Sequence, residues 1–269
     1  MTDAGARADS GPPPVSPPAL ATEGLCKTFG TTRAVDDLGL TVPPGSFYGL
    51  VGPNGAGKTT ALSMAVGLLR PDAGRVRILG TDVWADPVAA KARVGVLPDG
   101  LALPERLTGH ELLTYMGALR RLDPETVAGR TEELLEVLDL AGAERTLVID
   151  YSAGMRKKIG LAAALLHAPG LLVLDEPFEA VDPVSASTIR TILQRFVAGG
   201  GAVVLSSHLM TLVEQLCDHV GVIAAGQVVA EGRVAEIAAG GTLEDAFVRL
   251  VGARTGGEVG LSWLASSSD

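Results

Sequence analysis

The sequence predicts an α/β fold in which a mostly parallel core sheet is flanked by an antiparallel β region and carries an inserted helical lobe. Residues 47–51 form a short apolar segment that runs into a glycine-rich turn and then into a helical pattern. Two further apolar segments, at residues 171–174 and 201–205, are too short for helices and are typical of strands buried on both faces of a sheet. A helical pattern over residues 101–140 separates the strand-rich regions, which indicates an inserted lobe.

The glycine-rich turn fits the phosphate-loop pattern G-x-x-x-x-G-K-S/T, and its residues are Gly52, Pro53, Asn54, Gly55, Ala56, Gly57, Lys58, Thr59 and Thr60. Glycine lets the backbone curl so that successive amides point at one phosphate, an approach that a Cβ would obstruct. The helix that follows adds unpaired N–H groups and the positive end of its dipole. Lys58 supplies a charge for the terminal phosphates, and the Thr59 hydroxyl is a hard oxygen ligand suited to Mg²⁺. We therefore predict a nucleotide site in a P-loop NTPase core rather than an accidental glycine-rich turn.

An acidic pair directly follows the apolar segment at residues 171–174. Asp175 and Glu176 would emerge at the carboxyl end of a strand, where ligands bind in open α/β sheets. An acid at this point can hold Mg²⁺, and the next one can orient or deprotonate an attacking water. Taken alone, the pair could also be a solvated turn. Beside a phosphate loop, we expect it to be functional.

A third candidate site lies at the start of a predicted helix, in residues 151–155. Ser152 is a good N-cap residue, and helix capping is the simplest interpretation of it. Yet Arg156, Lys157 and Lys158 crowd the first turn, where the helix dipole disfavours cations. A phosphate docked at this helix end would relieve the mismatch, although solvated cations would also be tolerated.

The composition narrows the class of protein. The 269-residue chain carries a formal net charge of −9, which argues against a general nucleic-acid binder because such proteins need a net-basic surface. Cys26 and Cys217 lie far apart without metal-ligand spacing, so we expect reduced thiols. With no secretory signal and no apolar run of about 18 residues, we expect a soluble, cytoplasmic protein.

Three parts are predicted along the chain. Residues 1–18 are rich in proline and small polar residues, which is typical of a disordered tail. Residues 19–239 would form the nucleotide-binding domain, with two or three antiparallel strands near its start and the helical lobe at about residues 99–167. Residues 240–269 would add a helix and a tail.

Together these segments resemble the nucleotide-binding subunit of ATP-binding cassette (ABC) transporters over about residues 19–239. The resemblance assigns the Walker A loop (Gly52–Thr60), Walker B with the catalytic glutamate (Leu171–Glu176), the signature (Ser152–Met155), the D-loop aspartate (Asp182), the switch histidine (His208) and an adenine-stacking aromatic (Phe29). It implies that Ser152, Ala153, Gly154 and Met155 bind the ATP of the opposite subunit. Phosphate loops occur in many ATPases, whereas this ordered set is far more specific.

The resemblance implies catalytic roles for Glu176, Asp182 and His208 and places Mg²⁺ on Thr59 and Asp175. His208 alone would be an ordinary helix-cap or surface histidine. Because it follows a strand and two serines, we predict that it contacts the γ-phosphate. Phe29, at the end of a predicted strand, could be a core residue instead of an adenine contact.

Three departures from the family pattern are visible. Asp99 stands where the family usually has a glutamine; aspartate can bind Mg²⁺, but it is shorter by a methylene and charged, so we carry it as a candidate ligand. Ala153 and Met155 replace the usual glycine and glutamine of the signature. That variant, like the segment at residues 242–247, resembles exporters of drugs, antibiotics or polysaccharides. The third departure, in the D-loop, leaves Asp182 in place.

The function implied by the resemblance is that of an ATPase subunit which drives a separate membrane permease, most simply an exporter. ATP and Mg²⁺ are the implied cofactors, and the implied partners are a second copy or a paralogue together with the permease, but no nucleic acid. The subunit would be cytoplasmic and peripheral at the inner face of the cell membrane. Two alternatives stay open: a soluble cassette ATPase that acts on ribosomes or DNA, and a nucleotide-responsive binding subunit with little turnover.

Overall fold

The computed structural model describes residues 16–100, 102–143 and 145–252. The predicted tails before residue 16 and after residue 252 lie outside these residues. The strands are β1 (Leu20–Phe29), β2 (Thr32–Val42), β3 (Phe47–Val51), β4 (Ala73–Ile78), β5 (Thr81–Asp82), β6 (Val94–Leu97), β7 (Leu171–Leu174), β8 (Ala202–Ser207), β9 (His219–Ala224) and β10 (Gln227–Arg233). The helices are α1 (Lys58–Ala65), α2 (Pro87–Ala92), α3 (Gly109–Leu119), α4 (Pro124–Val137), α5 (Ala153–Leu165), α6 (Pro183–Ala198), α7 (Met210–Leu216), α8 (Val234–Ala238) and α9 (Leu243–Gly252). No helix within the described ranges is both long and apolar enough to cross a membrane.

Six strands form the central sheet in the order β10-β9-β3-β8-β7-β6. Strands β9, β3, β8, β7 and β6 run parallel, and β10 pairs antiparallel with β9. Every residue of β3, β7 and β8 is buried, as expected for parallel strands covered on both faces. The predicted α/β class with a mostly parallel core sheet is confirmed.

A second, antiparallel sheet has the order β2-β1-β4-β5. The sequence predicted two or three strands before residue 42, and the structure has two. Strands β4 and β5 follow α1 in the chain and extend this sheet, with Leu20 of β1 opposite Ile78 of β4. Apolar side chains from this sheet share a core with Leu62 and Met64 of α1. The antiparallel sheet therefore helps to fix the helix that begins at the phosphate loop.

Helices α3, α4 and α5 lie between β6 and β7 in the chain, so the predicted helical insertion is present. Thr108 and Glu111 form a reciprocal capping box at the start of α3, and Asp123 caps α4 through the amide of the third helical residue. Apolar residues of the three helices join the core beside one face of β7. The proposed bounds of the lobe at 99–167 and of the domain at 19–239 stay predictions.

The parallel order brings the carboxyl ends of four strands to one edge of the central sheet. Val51 of β3 is level with Ser207 of β8, and Leu174 of β7 is level with Leu205 of β8 and with Leu97 of β6. Because the chain leaves each strand at this edge, the segments that follow β3, β6, β7 and β8 meet there.

Candidate functional site

An open cleft of about 430 Å³ occupies this edge of the central sheet. Its lining comes from the phosphate loop, from the start of α1, from one residue near the start of β2, and from the segments that follow β6, β7 and β8. The lining residues are Ala34, Asn54, Gly55, Ala56, Gly57, Lys58, Thr59, Thr60, Asp99, Asp175, Glu176, Glu179 and His208. The structure therefore brings together most of the residues that the sequence singled out.

The phosphate loop passes through a space that only glycine fits at two of its positions. Gly57 has φ of 102°, and a Cβ there would collide with the main-chain oxygen of Ala34. A Cβ on Gly52 would collide with the main-chain oxygen of Ile223. Gly57 is also the N-cap of α1 and provides no side-chain cap, so the first-turn amides of that helix face the cleft without a side-chain acceptor at the cap. This arrangement fits a bound phosphate group.

Lys58 folds back over the loop. Its Nζ donates to the main-chain oxygen of Gly52 at 2.7 Å and to that of Pro53 at 3.2 Å. The side chain is buried, and burial lowers its pKa, although the carboxylates of Glu176 and Asp175 act in the opposite direction. A buried ammonium that bonds neutral carbonyls gains a charged partner when a phosphate enters the cleft.

Asp175 and Glu176 sit where β7 ends, as predicted. Asp175 is buried, and its amide donates to the main-chain oxygen of Leu97 at 2.8 Å, which continues the pairing of β7 with β6. The Ser206 hydroxyl donates to Asp175 Oδ1 and accepts the amide N–H of Glu176 at 2.9 Å. The hydroxyl of Ser206 on β8 therefore bonds both the side chain of Asp175 and the main chain of Glu176.

Glu176 adopts a left-handed backbone conformation, with φ of 47°. This region is sparsely populated by residues that carry a Cβ, and such residues cluster at functional sites. Its Oε2 lies 3.0 Å from Nδ1 of His208, which follows β8. The predicted general base and the predicted switch histidine are therefore hydrogen-bonded neighbours.

The candidate metal ligands also line the cleft. Thr59 and Asp175 supply a hydroxyl and a carboxylate, the hard donors that Mg²⁺ prefers. Asp99 is exposed on the cleft wall, and its Oδ1 accepts the amide N–H of Gly100 at 2.9 Å. The donor set fits a magnesium ion with Thr59 and Asp175 as its protein ligands.

The signature turn lies away from this cleft. The Ser152 hydroxyl accepts the amide N–H of Met155 at 3.2 Å and caps α5, so the capping interpretation holds in the single chain. Ser152 and Ala153 are exposed, whereas Gly154 is buried. Asp182 lies beside Gly154 and caps α6. None of these residues contributes to the lining of the cleft on its own chain.

Phe29 is also outside the cleft lining. It ends β1 with 50% of its surface exposed, and Lys27 Nζ lies 5.8 Å from the centre of its ring. The alternative of a core residue is therefore wrong. An exposed ring at a strand end is accessible to a planar ligand.

Sequence reasoning missed several contributors to the site. Ala34 and Glu179 line the cleft, and Ser206 holds the acidic pair. Lys157, noted above only as a cation in a helix turn, donates from Nζ to the main-chain oxygen of Glu176 at 2.9 Å. The repeated acid three residues after Glu176 was a visible signal for Glu179. The other contacts join distant segments, and nothing in the local pattern identifies them.

Comparisons with known proteins converge on one description. A family model described as ABC transporter matches residues 35–179. The daunorubicin resistance ATP-binding protein DrrA3 of Streptomyces coeruleorubidus is 39% identical over 236 residues, which cover 87% of this chain and 75% of that protein. The bacitracin transport ATP-binding protein BcrA of Enterococcus faecalis is 37% identical over 219 residues, covering 81% of this chain and 70% of that protein. A solved structure described as the ATP binding subunit of an ABC transporter superposes with a TM-score of 0.81 at 26% identity and covers 86% of this chain and 99% of that one.

Proposed function

The chain belongs to the ABC transporter family, and from that premise we propose that it is the ATP-hydrolysing subunit which powers a separate membrane permease in an exporter. The observation that carries this proposal is the cleft in which the phosphate loop, Asp175, Glu176 and His208 lie together. A phosphate cradle, a metal-binding carboxylate and a candidate base, side by side, are the parts that phosphoryl transfer to water requires.

The phosphate loop and Lys58 would bind the β- and γ-phosphates of ATP. The loop amides and the first-turn amides of α1 would donate to the phosphate oxygens, and Lys58 can exchange the carbonyls of Gly52 and Pro53 for phosphate oxygens. Asn54, Gly55 and Thr60 belong to the same cradle.

Thr59 and Asp175 would hold Mg²⁺, and Asp99 is a candidate third ligand. When bound, the ion neutralises charge on the transferring phosphate. Ser206 donates to the Asp175 carboxylate and would restrain it as a ligand. Asp99 would have to release the amide of Gly100 to join the ligands.

Glu176 would orient and deprotonate the attacking water, since its carboxylate lies at the cleft wall beside His208. His208 would steady both that carboxylate and the γ-phosphate. Asp182 would act at the dimer contact, because it caps α6 next to the buried Gly154 at the signature turn.

The complete site would need a second copy of the chain or a paralogue. Ser152, Ala153, Gly154 and Met155 lie outside the cleft of their own chain, and Ser152 and Ala153 are exposed. In a head-to-tail pair with twofold symmetry, each copy would present this turn to the γ-phosphate held by the other. The exposed ring of Phe29 would stack on the adenine.

ATP would then stabilise the closed dimer, because only that state contacts the γ-phosphate from both sides. Hydrolysis removes this difference, and the dimer opens. The helical lobe and the Asp99 segment would pass the motion to the permease, with the subunit on the cytoplasmic face of the cell membrane. The named relatives in drug resistance and bacitracin transport support export as the direction.

Phosphate release from the purified full-length protein tests this function directly. We expect steady hydrolysis of ATP that requires Mg²⁺ and does not respond to added ribosomes or DNA. Stimulation by either of those would favour a soluble cassette ATPase. ATP binding without turnover would instead favour a nucleotide-responsive binding subunit.

A further inference from the structure

A hydrogen bond joins the signature helix to the backbone of the candidate base. Lys157 of α5 donates from Nζ to the main-chain oxygen of Glu176 at 2.9 Å, and its side chain is partly buried. We propose that Lys157 is a positioning residue, which holds the Glu176 backbone in the conformation that presents its carboxylate to the cleft. This inference rests on the role of Glu176 under the proposed function.

Glu176 needs such restraint because its φ of 47° is unfavourable for a residue with a Cβ. Ser206 accepts its amide N–H at 2.9 Å, and its main-chain oxygen accepts from Lys157 Nζ at 2.9 Å and from the amide of Glu179 at 3.2 Å. Relaxation to an ordinary φ would swing the side chain away from His208, which now lies 3.0 Å from Oε2. A shift of about 1 Å in a catalytic group can cost about a hundredfold in rate.

The three cations of the first turns of α5 have different partners. Arg156 donates to the main-chain oxygen of Ile149 at 2.7 Å, and the buried Lys158 lies 3.9 Å from Asp139. Lys157 alone among the three reaches the acidic pair. A lysine near a helix N-terminus opposes the helix dipole, and the carbonyl of Glu176 supplies a compensating acceptor.

The hydrogen bond from Lys157 also links the main chain of Glu176 to helix α5. Lys157 lies five positions after Ser152, on the helix whose tip would contact the partner's nucleotide. A movement of this tip would therefore reach the Glu176 main-chain oxygen through Lys157, by a route that does not include the phosphate loop.

Steady-state ATP hydrolysis by the full-length protein tests the proposal with three variants. We expect Lys157→Met to lower kcat about tenfold while KM stays within about twofold, because a charge-assisted hydrogen bond is lost but the phosphate cradle is intact. Lys157→Arg keeps a cationic donor and should recover most of the rate. Lys91→Met, which removes an exposed lysine of α2 outside the cleft lining, should match the parent protein.

A double variant separates positioning from a general structural role. In a Glu176→Gln background, Lys157→Met should reduce the remaining rate by less than about twofold, because the group it positions is already disabled. A further tenfold loss in that background would overturn the proposal, as would a full rate for the single Lys157→Met variant. If Lys157→Met lowers Tm by more than about 5 °C, Lys157→Gln replaces it in the same comparison.

Different experimental outcomes would contradict the proposed function and the positioning role of Lys157. Full turnover by Glu176→Gln contradicts the assignment of the base itself. Loss of turnover by Glu176→Gln together with normal kcat for Lys157→Met leaves the function standing and removes only the role of Lys157.

Discussion

Two helix tips in this protein carry the residues that would contact ATP, and they are built differently. The tip of α1 is recessed behind a glycine loop, and its N-cap Gly57 provides no side-chain acceptor. The tip of α5 is exposed, and its N-cap Ser152 already accepts the amide of Met155. The first tip is ready for a ligand in the single chain. The second satisfies one of its own amides, and under the proposed function it would contact a nucleotide only when another molecule brings a phosphate to it.

The largest expected effect tests the chemistry at the recessed tip. Glu176→Gln should keep ATP binding and lower kcat by about 10²–10⁴-fold, because it removes the proposed general base while the phosphate loop is unchanged. An ATP-bound dimer should accumulate, which size-exclusion chromatography with MgATP would detect. Near-normal phosphate release by this variant would contradict the assignment.

Lys58→Ala should act on binding instead of on chemistry alone. Loss of the ammonium group proposed to bind the phosphates should weaken ATP affinity about 10- to 100-fold, measured by fluorescence titration or calorimetry. The matched comparison is Glu176→Gln, for which affinity should be unchanged. Equal affinities for the two variants would show that the tip of α1 does not depend on Lys58.

The variant Ser152→Ala tests the tip of α5 independently of ATP binding at the tip of α1. We expect ATP affinity of the single chain to be unchanged and turnover to fall about tenfold, because the proposed hydrogen bond to the γ-phosphate held by the partner would be lost. Thr108→Ala is the control: it removes an N-cap from α3, at a similar cost of about 1 kcal/mol in stability, from a helix outside the cleft lining. Parallel loss of turnover in both variants would reduce Ser152 to a structural cap.

Mixing two inactive variants tests whether each ATP site is shared between two copies of the chain. Lys58→Ala and Ser152→Arg each disable both sites of a symmetric dimer. A mixed dimer retains one site with an intact Lys58 and an intact Ser152, so the mixture should hydrolyse ATP faster than either variant alone. An additive rate in the mixture would argue against sites shared between copies.

The smallest expected effect concerns the far end of α5. His167, just beyond this helix, places Nε2 3.0 Å from the main-chain oxygen of Val94, and burial lowers its pKa to about 4. Because this value is below the ordinary pKa of about 6.5, the unfolded chain binds more protons between these limits. The stability that His167 contributes is complete above pH 6.5 and is lost as the pH falls toward 4.

We therefore expect His167→Gln to lose less stability than the parent protein on acidification. Between pH 7 and 5.5 the difference should be about 1 kcal/mol, or a few degrees in Tm, measured by thermal unfolding at both values. Identical shifts in the two proteins would show that other groups dominate the acid sensitivity of this region.

Much of the recessed tip could be predicted from the sequence, because its parts follow strands and parallel strands end at one edge. The phosphate loop, the acidic pair at Asp175 and His208 each follow a predicted strand, so their meeting in one cleft follows from the sheet order. The pairing of β4 with β1 joins segments on either side of α1, and local pattern does not specify such a partner.

Side-chain contacts between segments that are distant in the chain could not be predicted either, because local pattern does not specify them. Lys157 and Ser206 meet Glu176 from elements 19 and 30 residues away in the chain. Either residue has an ordinary local interpretation, as a helix cation or a strand serine. The exposed tip of α5 and the ring of Phe29 lie outside the cleft of their own chain, so their roles depend on a second molecule.

The backbone conformation of Glu176 has a consequence for engineering this protein. A sequence optimised only for a durable fold would place glycine or asparagine at this position, since both accept a positive φ more readily than glutamate does. Keeping a glutamate here sacrifices about 1 kcal/mol or more of folding free energy. If Glu176 has the proposed role, designs that relieve this strain would produce a more stable protein that no longer hydrolyses ATP, and position 176 should be held fixed in any such effort.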